Sequence, residues 1–131
     1  MSSKPQWEAV AEAFVTHYYA VFDADRSQLS SLYREPSMLT FEGTACMGPQ
    51  AIVQKLVSLP FQKVQHQVVT CDAQPVLPES LNGILVFVNG NLVVDDGGQP
   101  LKFAQVFHLM PDQSNPQAFW VYNDLFRLNY G

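Results

Sequence analysis

The sequence predicts an α+β fold, with helices first and a run of antiparallel strands after them. Apolar residues recur every three or four positions before Pro60 and in near alternation after it. The hydrophobic class makes up 47% of the 131 residues, with nine Phe and only 15% charged, enough for one packed core. Length and the absence of a linker or repeat predict a single domain over residues 1–131.

From Pro5 to Phe22, Val10, Ala13, Phe14, His17, Tyr18 and Val21 share one helical face. Pro5 suits a first helical turn. Asp25 caps a second helix, with Gln28 three residues on and Leu29, Leu32 and Tyr33 as its apolar side, and Pro36 ends it. "SMLTF" and "TACM" read as short strands around a Glu42–Gly43 turn. Gly48–Pro49 opens a third helix, with Ile52, Val53 and Leu56 on one side, and Pro60 closes it. Strands follow over "FQKVQHQVVTCDAQPV", "GILVFVNGNLVV", "LKFAQVFHLM" and "AFWVYNDLFRLNY". The third has Phe103, Gln105, Phe107 and Leu109 on one face and Ala104, Val106, His108 and Met110 on the other.

Several strands are apolar on both faces, whereas an antiparallel sheet with one wet face alternates cleanly. The helices can cover one face, so a second copy of the chain is expected on the other, giving a homodimer built sheet to sheet. The net charge of −5, with no basic run, argues against a nucleic-acid partner. No apolar run approaches membrane-spanning length and the N-terminus has no apolar signal core, so a soluble, intracellular protein is expected. Cys46 and Cys71 match no zinc spacing and suit a reducing compartment as small core residues. Neither a metal nor a cofactor is expected.

The segments "HYYAVFDADRSQLSSLY" (17–33), "LTFEG" (39–43), "IVQKLVSLPFQKVQH" (52–66) and "NDLFRLNY" (123–130) resemble the nuclear transport factor 2 family. The likeness extends from "KPQWE" to the C-terminus, and "SLPFQKVQH" is its most specific run. The resemblance implies a strongly curved sheet wrapped on the helices, a cone with an apolar cavity. It implies a homodimer that carries the GDP form of the small GTPase Ran into the nucleus. It also implies binding to the phenylalanine-glycine repeats of nucleoporins, in cytoplasm and nucleus, concentrated at the nuclear pores, without catalysis or cofactor. The wider superfamily holds ketosteroid isomerase-like enzymes, so fold alone does not settle function.

Carried onto this sequence, the family's pocket for an inserted aromatic side chain maps to Phe41, Leu59, Phe61, Val64, Leu92, Val94, Leu101 and Phe126. Without the resemblance these read as core. Glu42 and Asp95, each following a lining residue, match rim carboxylates that pair with basic residues of the GTPase; Asp96 is the candidate for a third. Otherwise they read as solvated turn residues. Trp7 matches the residue that takes Phe rings of nucleoporin repeats, or it is a staple of the first helix. Leu125 is expected on the dimer face with Phe87, Val106 and Val121; Arg127 shares that face. His66 points the same way as Val64, as a base or as a neutral histidine bonded to a carboxylate or tyrosine. His17 and His108 carry no special signal. The alternative is a cavity enzyme of the isomerase or dehydratase type, with Glu42 or His66 as base and Tyr18, Tyr19 or Tyr122 as oxyanion donor.

Overall fold

The computed structural model describes residues 6–60, 62–95, 99–115 and 118–129. Helix α1 (Gln6–Ala24) buries Ala11, Phe14, Val15, Tyr18, Tyr19 and Phe22. That stripe is rotated from the expected one: Phe14 and Tyr18 belong to both, while Ala13 and His17 face solvent. The bulkier aromatics at positions 19 and 22 win the buried side, since they remove more apolar area from water. Asp25 caps the next segment by accepting the Ser27 amide, but this segment is a 3-10 helix, Arg26–Leu32.

Tyr33 does not lie on that helix, and Pro36 does not end it. Strand β1 (Tyr33–Phe41) already runs through both, with burial alternating at Ser37, Leu39 and Phe41. Pro36 fits there because the β1 ladder is irregular between Tyr33 and Met38. Strand β2 (Thr44–Met47) and helix α2 (Pro49–Val57) follow. Then come β3 (Val64–Val76), a 3-10 turn at Glu79–Leu81, β4 (Gly83–Val94), β5 (Leu101–Pro111) and β6 (Phe119–Asn129).

The six strands form one sheet in the order β2-β1-β6-β5-β4-β3. Neighbours are antiparallel except β1 and β6, which run parallel, Phe41 beside Phe126. This crossover sets the first strand beside the last, one place in from the β2 edge. A bulge in β3 leaves Val69 between the Val68–Gly90 and Thr70–Asn89 pairs. Gly90 makes it possible: a Cβ there would stand 2.0 Å from the Gln67 carbonyl oxygen. A second irregularity, opposite His108 and Leu109, makes Tyr122 the extra residue of β6.

The core lies between the helices and one sheet face, around Tyr18, Phe103, Phe107, Leu109 and Val121. Antiparallel register sorts the strand ends into two groups. The C-terminal ends of β1, β4 and β6 and the N-terminal ends of β3 and β5 share one end of the sheet. The start of β4 and the ends of β3 and β5 lie at the other. No described helix is long and apolar enough to cross a membrane.

Candidate functional site

At the first end, rings stack in a column. Phe41 lies parallel to Phe126 at 4.7 Å between centroids, and Phe126 to Phe103 at 5.7 Å. The Lys55 ammonium, from the last turn of α2, stands over the Phe41 ring at 5.7 Å. Val64 and Leu92 are buried beside the column, while Leu59, Val94 and Leu101 pack partly buried against the same core. Val64 pairs with Val94, and Leu92 with Leu101. Seven of the eight residues matched to a ring-accepting pocket thus gather at one end of the sheet. Phe61, the eighth, lies outside the described residues. The three clefts described below are lined by other groups.

Glu42 directly follows Phe41 with a left-handed backbone, φ 50°. Its amide donates to the Phe126 carbonyl at 3.1 Å, and its Oε1 accepts the Leu128 amide. The carboxylate therefore prolongs the β1–β6 ladder one step past the strand. Asp95 directly follows Val94 with φ 46°. Its Oδ1 accepts the Gln62 and Lys63 amides at 2.9 and 3.0 Å, and its own amide donates to the Lys63 carbonyl. Those amides hold its carboxyl below the usual carboxylate range, so it stays ionised well below neutral pH. Both acids are anchored, not free turn residues. Asp96 lies outside the described residues.

At the opposite end, Trp7 is 38% exposed. It lines a cleft of about 430 Å³ with Gln6, Val10, Pro75, Val76 and Phe119, among others. The half-covered ring leaves one apolar face open beside the strand ends.

On the outer sheet face, register aligns Phe87 with Val106 and Val106 with Leu125. Phe87 and Leu125 are 40% and 52% exposed. Val121, expected in the same set, is fully buried in the core. Four residues of regular strand would put it on the face of Leu125; the extra residue at Tyr122 inverts the phase. Tyr122 itself is exposed on the outer side.

His66 is held by a carboxylate. Its Nδ1 is 2.6 Å from Asp23 Oδ1, and its amide donates to Asp23 Oδ2 at 2.9 Å. Its ring stacks on Tyr19 at 4.3 Å and meets Phe22 and Phe103 edge-on. The pair borders a cleft of about 570 Å³ between α1 and β3 that also touches Glu12, Thr16 and Cys71. A third cleft, about 360 Å³, lies around Asn89, Asn91 and Lys102. Of the enzyme candidates, His66 and Tyr19 meet beside the first cleft, while Glu42 and Tyr122 lie apart, on the β6 ladder and the outer face.

Sequence reasoning missed a buried polar network. Asp124, 1% exposed, accepts Tyr33 Oη at 2.7 Å on Oδ2 and Gln105 Nε2 at 2.7 Å on Oδ1. Tyr18 Oη is 2.6 Å from Tyr33 Oη and 3.4 Å from Asp124 Oδ2. Tyr19 Oη donates to Gln105 Oε1 at 2.6 Å. Burial pushes the Asp124 carboxyl up to about 6, against the pull of the Gln105, Tyr33 and Tyr18 hydrogen bonds. Burial likewise raises the three tyrosines well above their ordinary value. Little in the sequence signals it, because Asp124 stands in a strand that also holds Asn123 and Arg127. Among the described residues, no cluster of three or more His, Cys, Asp or Glu could hold a metal ion.

The family profile described as the nuclear transport factor 2 (NTF2) domain matches residues 10–128. The chain is 54% identical over 125 residues to nuclear transport factor 2 of Kluyveromyces lactis, covering 95% of both chains. It is 55% identical over 124 residues to nuclear transport factor 2B of Arabidopsis thaliana, covering 94% of both. The solved structure of nuclear transport factor 2 from Cryptosporidium parvum superposes with a TM-score of 0.86 at 46% identity, covering 98% of this chain and 99% of that one.

Proposed function

The chain belongs to the nuclear transport factor 2 family, and from that premise we propose that it is a nuclear import carrier for the GDP form of the small GTPase Ran. A role in nuclear transport follows from the relatives' names and from identity above half over almost the whole length. The finer reading rests chiefly on one observation: two anchored carboxylates, Glu42 and Asp95, each directly follow a residue of the apolar cluster at one end of the sheet. Each accepts backbone amides on one oxygen, and Asp95 also feels the charges of Arg26 and Lys63. An aromatic ring flanked by basic side chains, presented by the GTPase, has the complementary chemistry. The Lys55 ammonium over the Phe41 ring marks that ring as a face that already takes a cation.

The platform around Trp7 takes the Phe rings of nucleoporin repeats through weak, replaceable contacts made numerous by repetition. The row Phe87–Val106–Leu125 is the centre of the homodimer contact, where a second copy covers an apolar face. The protein then works in cytoplasm and nucleus and concentrates at the pores, as a carrier without chemistry of its own.

Gel filtration of the full chain with Ran loaded with GDP, and separately with GTP, tests this. Co-elution with the GDP form alone supports the carrier reading. No co-elution with either form, or equal co-elution with both, sinks it.

A further inference from the structure

The chain holds two Asn-Gly dipeptides, Asn82–Gly83 and Asn89–Gly90. In such a pair the side-chain amide is open to attack by the next backbone nitrogen, because glycine has no Cβ to obstruct the approach and turns freely. The fold treats the two pairs differently. Asn89 is a mid-strand residue of β4, paired with Thr70 on one side and Ala104 on the other, and its Oδ1 accepts the Thr70 hydroxyl. Gly90 pairs with Val68 and Phe103 and lies against the Gln67 carbonyl. Its nitrogen cannot reach Asn89 Cγ unless several rungs on both sides open.

Asn82 stands before the strand. It is exposed, its backbone is left-handed at φ 55°, and no hydrogen bond restrains its side chain among the described residues. Besides glycine, Asn is among the residues that best accept that conformation. Glycine is required next, since a Cβ on Gly83 would stand 3.0 Å from His108 Nε2 and 3.1 Å from Met110 Sδ. The needs of the turn thus place the reactive pair there. Gly83 meets Val76 on the last rung of the β3–β4 ladder, and the β4–β5 pairing starts only at Ile84. A single end rung therefore resists the swing that carries the Gly83 nitrogen onto Asn82 Cγ. Strand ends open at far lower cost than strand centres. Asn82 also lines the Trp7 cleft, together with Val76, Ile84 and Phe119.

We propose that Asn82–Gly83 is a self-modification site whose product turns the Trp7 cleft from neutral to anionic. The Gly83 nitrogen loses its proton and bonds to Asn82 Cγ. The bond from Cγ to the side-chain nitrogen breaks, and ammonia leaves with that proton. The cyclic imide then takes up one water. Opening at the side-chain carbonyl gives aspartate; opening at the main-chain carbonyl gives isoaspartate, whose main chain runs through Cβ. Water is the only co-reactant. Both products set a carboxylate at the cleft, where the negative faces of incoming rings and the loss of water disfavour it. The binding consequence rests on reading the Trp7 cleft as the repeat site; the covalent step does not.

The test incubates the full folded chain in heavy-oxygen water at neutral and mildly alkaline pH and maps the products by peptide mass spectrometry. A protein isoaspartyl methyltransferase with labelled S-adenosylmethionine counts the isoaspartate. Asn82 should give both products with solvent oxygen incorporated, at least about a hundredfold faster than Asn89. In urea-unfolded chain the two rates should agree within about threefold. Asn82→Gln should keep the fold and lose the isoaspartate at this position. Calorimetry with a phenylalanine-glycine repeat peptide then compares fresh wild type, aged wild type and Asn82→Asp. The last two should bind about tenfold more weakly than the first, with GDP-loaded Ran bound equally by all. A folded chain in which Asn82 converts no faster than Asn89, or converts without isoaspartate, overturns the proposal. Full conversion with undiminished repeat binding overturns its consequence for the cleft. If fresh wild type binds no repeat, the Trp7 reading fails, and the peptide map alone supports or overturns the modification.

Discussion

Glu42 and Asp95 are conformational twins: both have left-handed backbone, at φ 50° and 46°, and both lend one carboxylate oxygen to amides of a neighbouring segment. A non-glycine residue held there costs of order 1 kcal/mol or more, and the side-chain hydrogen bonds offset it. The same bonds restrain the second oxygen in each carboxylate, so a cationic partner meets groups that are already ordered.

Glu42→Gln separates charge from anchoring. The amide oxygen still accepts the Leu128 amide, so unfolding free energy should change by less than about 1 kcal/mol, while GTPase affinity should fall at least about tenfold. Glu42→Lys removes the anchor as well and should abolish binding while leaving the dimer. Calorimetry and denaturant melts check both; wild-type binding by Glu42→Lys would refute the collar.

Asp124 governs stability with the opposite sign from a salt-bridged acid. Its folded pKa, about 6, is raised above the ordinary 3.8, so the folded state holds more protons between those values. Stability should therefore fall as pH rises from about 4 to about 6, by up to about 3 kcal/mol, and level off above. Asp124→Asn should flatten that slope in urea melts and be no less stable than wild type at neutral pH. A residue kept for stability alone would show the reverse.

These two sites differ in how far the sequence discloses them. Glu42 and Asp95 are singled out by the family resemblance, since a carboxylate beside a turn and an apolar strand end reads locally as a solvated turn residue. Asp124 could not be found, because its partners come from α1, β1 and β5, up to 106 positions away. Strand β5 was legible from clean alternation, and α2 from its Gly-Pro opening and its close before Pro60. Tyr33–Pro36 was misread because a proline after a capped segment signals a helix end, whereas here tertiary pairing with β6 draws the chain into a strand. Val121 was misplaced by one inserted residue, invisible to any periodicity argument.

Leu125→Glu should give monomers in sedimentation without unfolding the chain. The side chain is half exposed in one subunit, so the charge is buried only when a second copy docks. A stable dimer would move the interface elsewhere on the sheet.

Trp7→Ala should weaken repeat binding about tenfold and cost less than about 2 kcal/mol of stability, since the ring is incompletely buried. GTPase binding, at the other end of the sheet, should not change. If Trp7→Ala instead melts the dimer, the ring is a staple after all.

The displaced Val69 has a consequence of its own. β3 is an outermost strand of thirteen residues, long enough to recruit any extended chain by main-chain pairing. The kink opposite Gly90 and the missing amide proton of Pro75 interrupt its open row of donors. An extended chain that meets this edge finds a broken row, which keeps β3 from templating it into fibres.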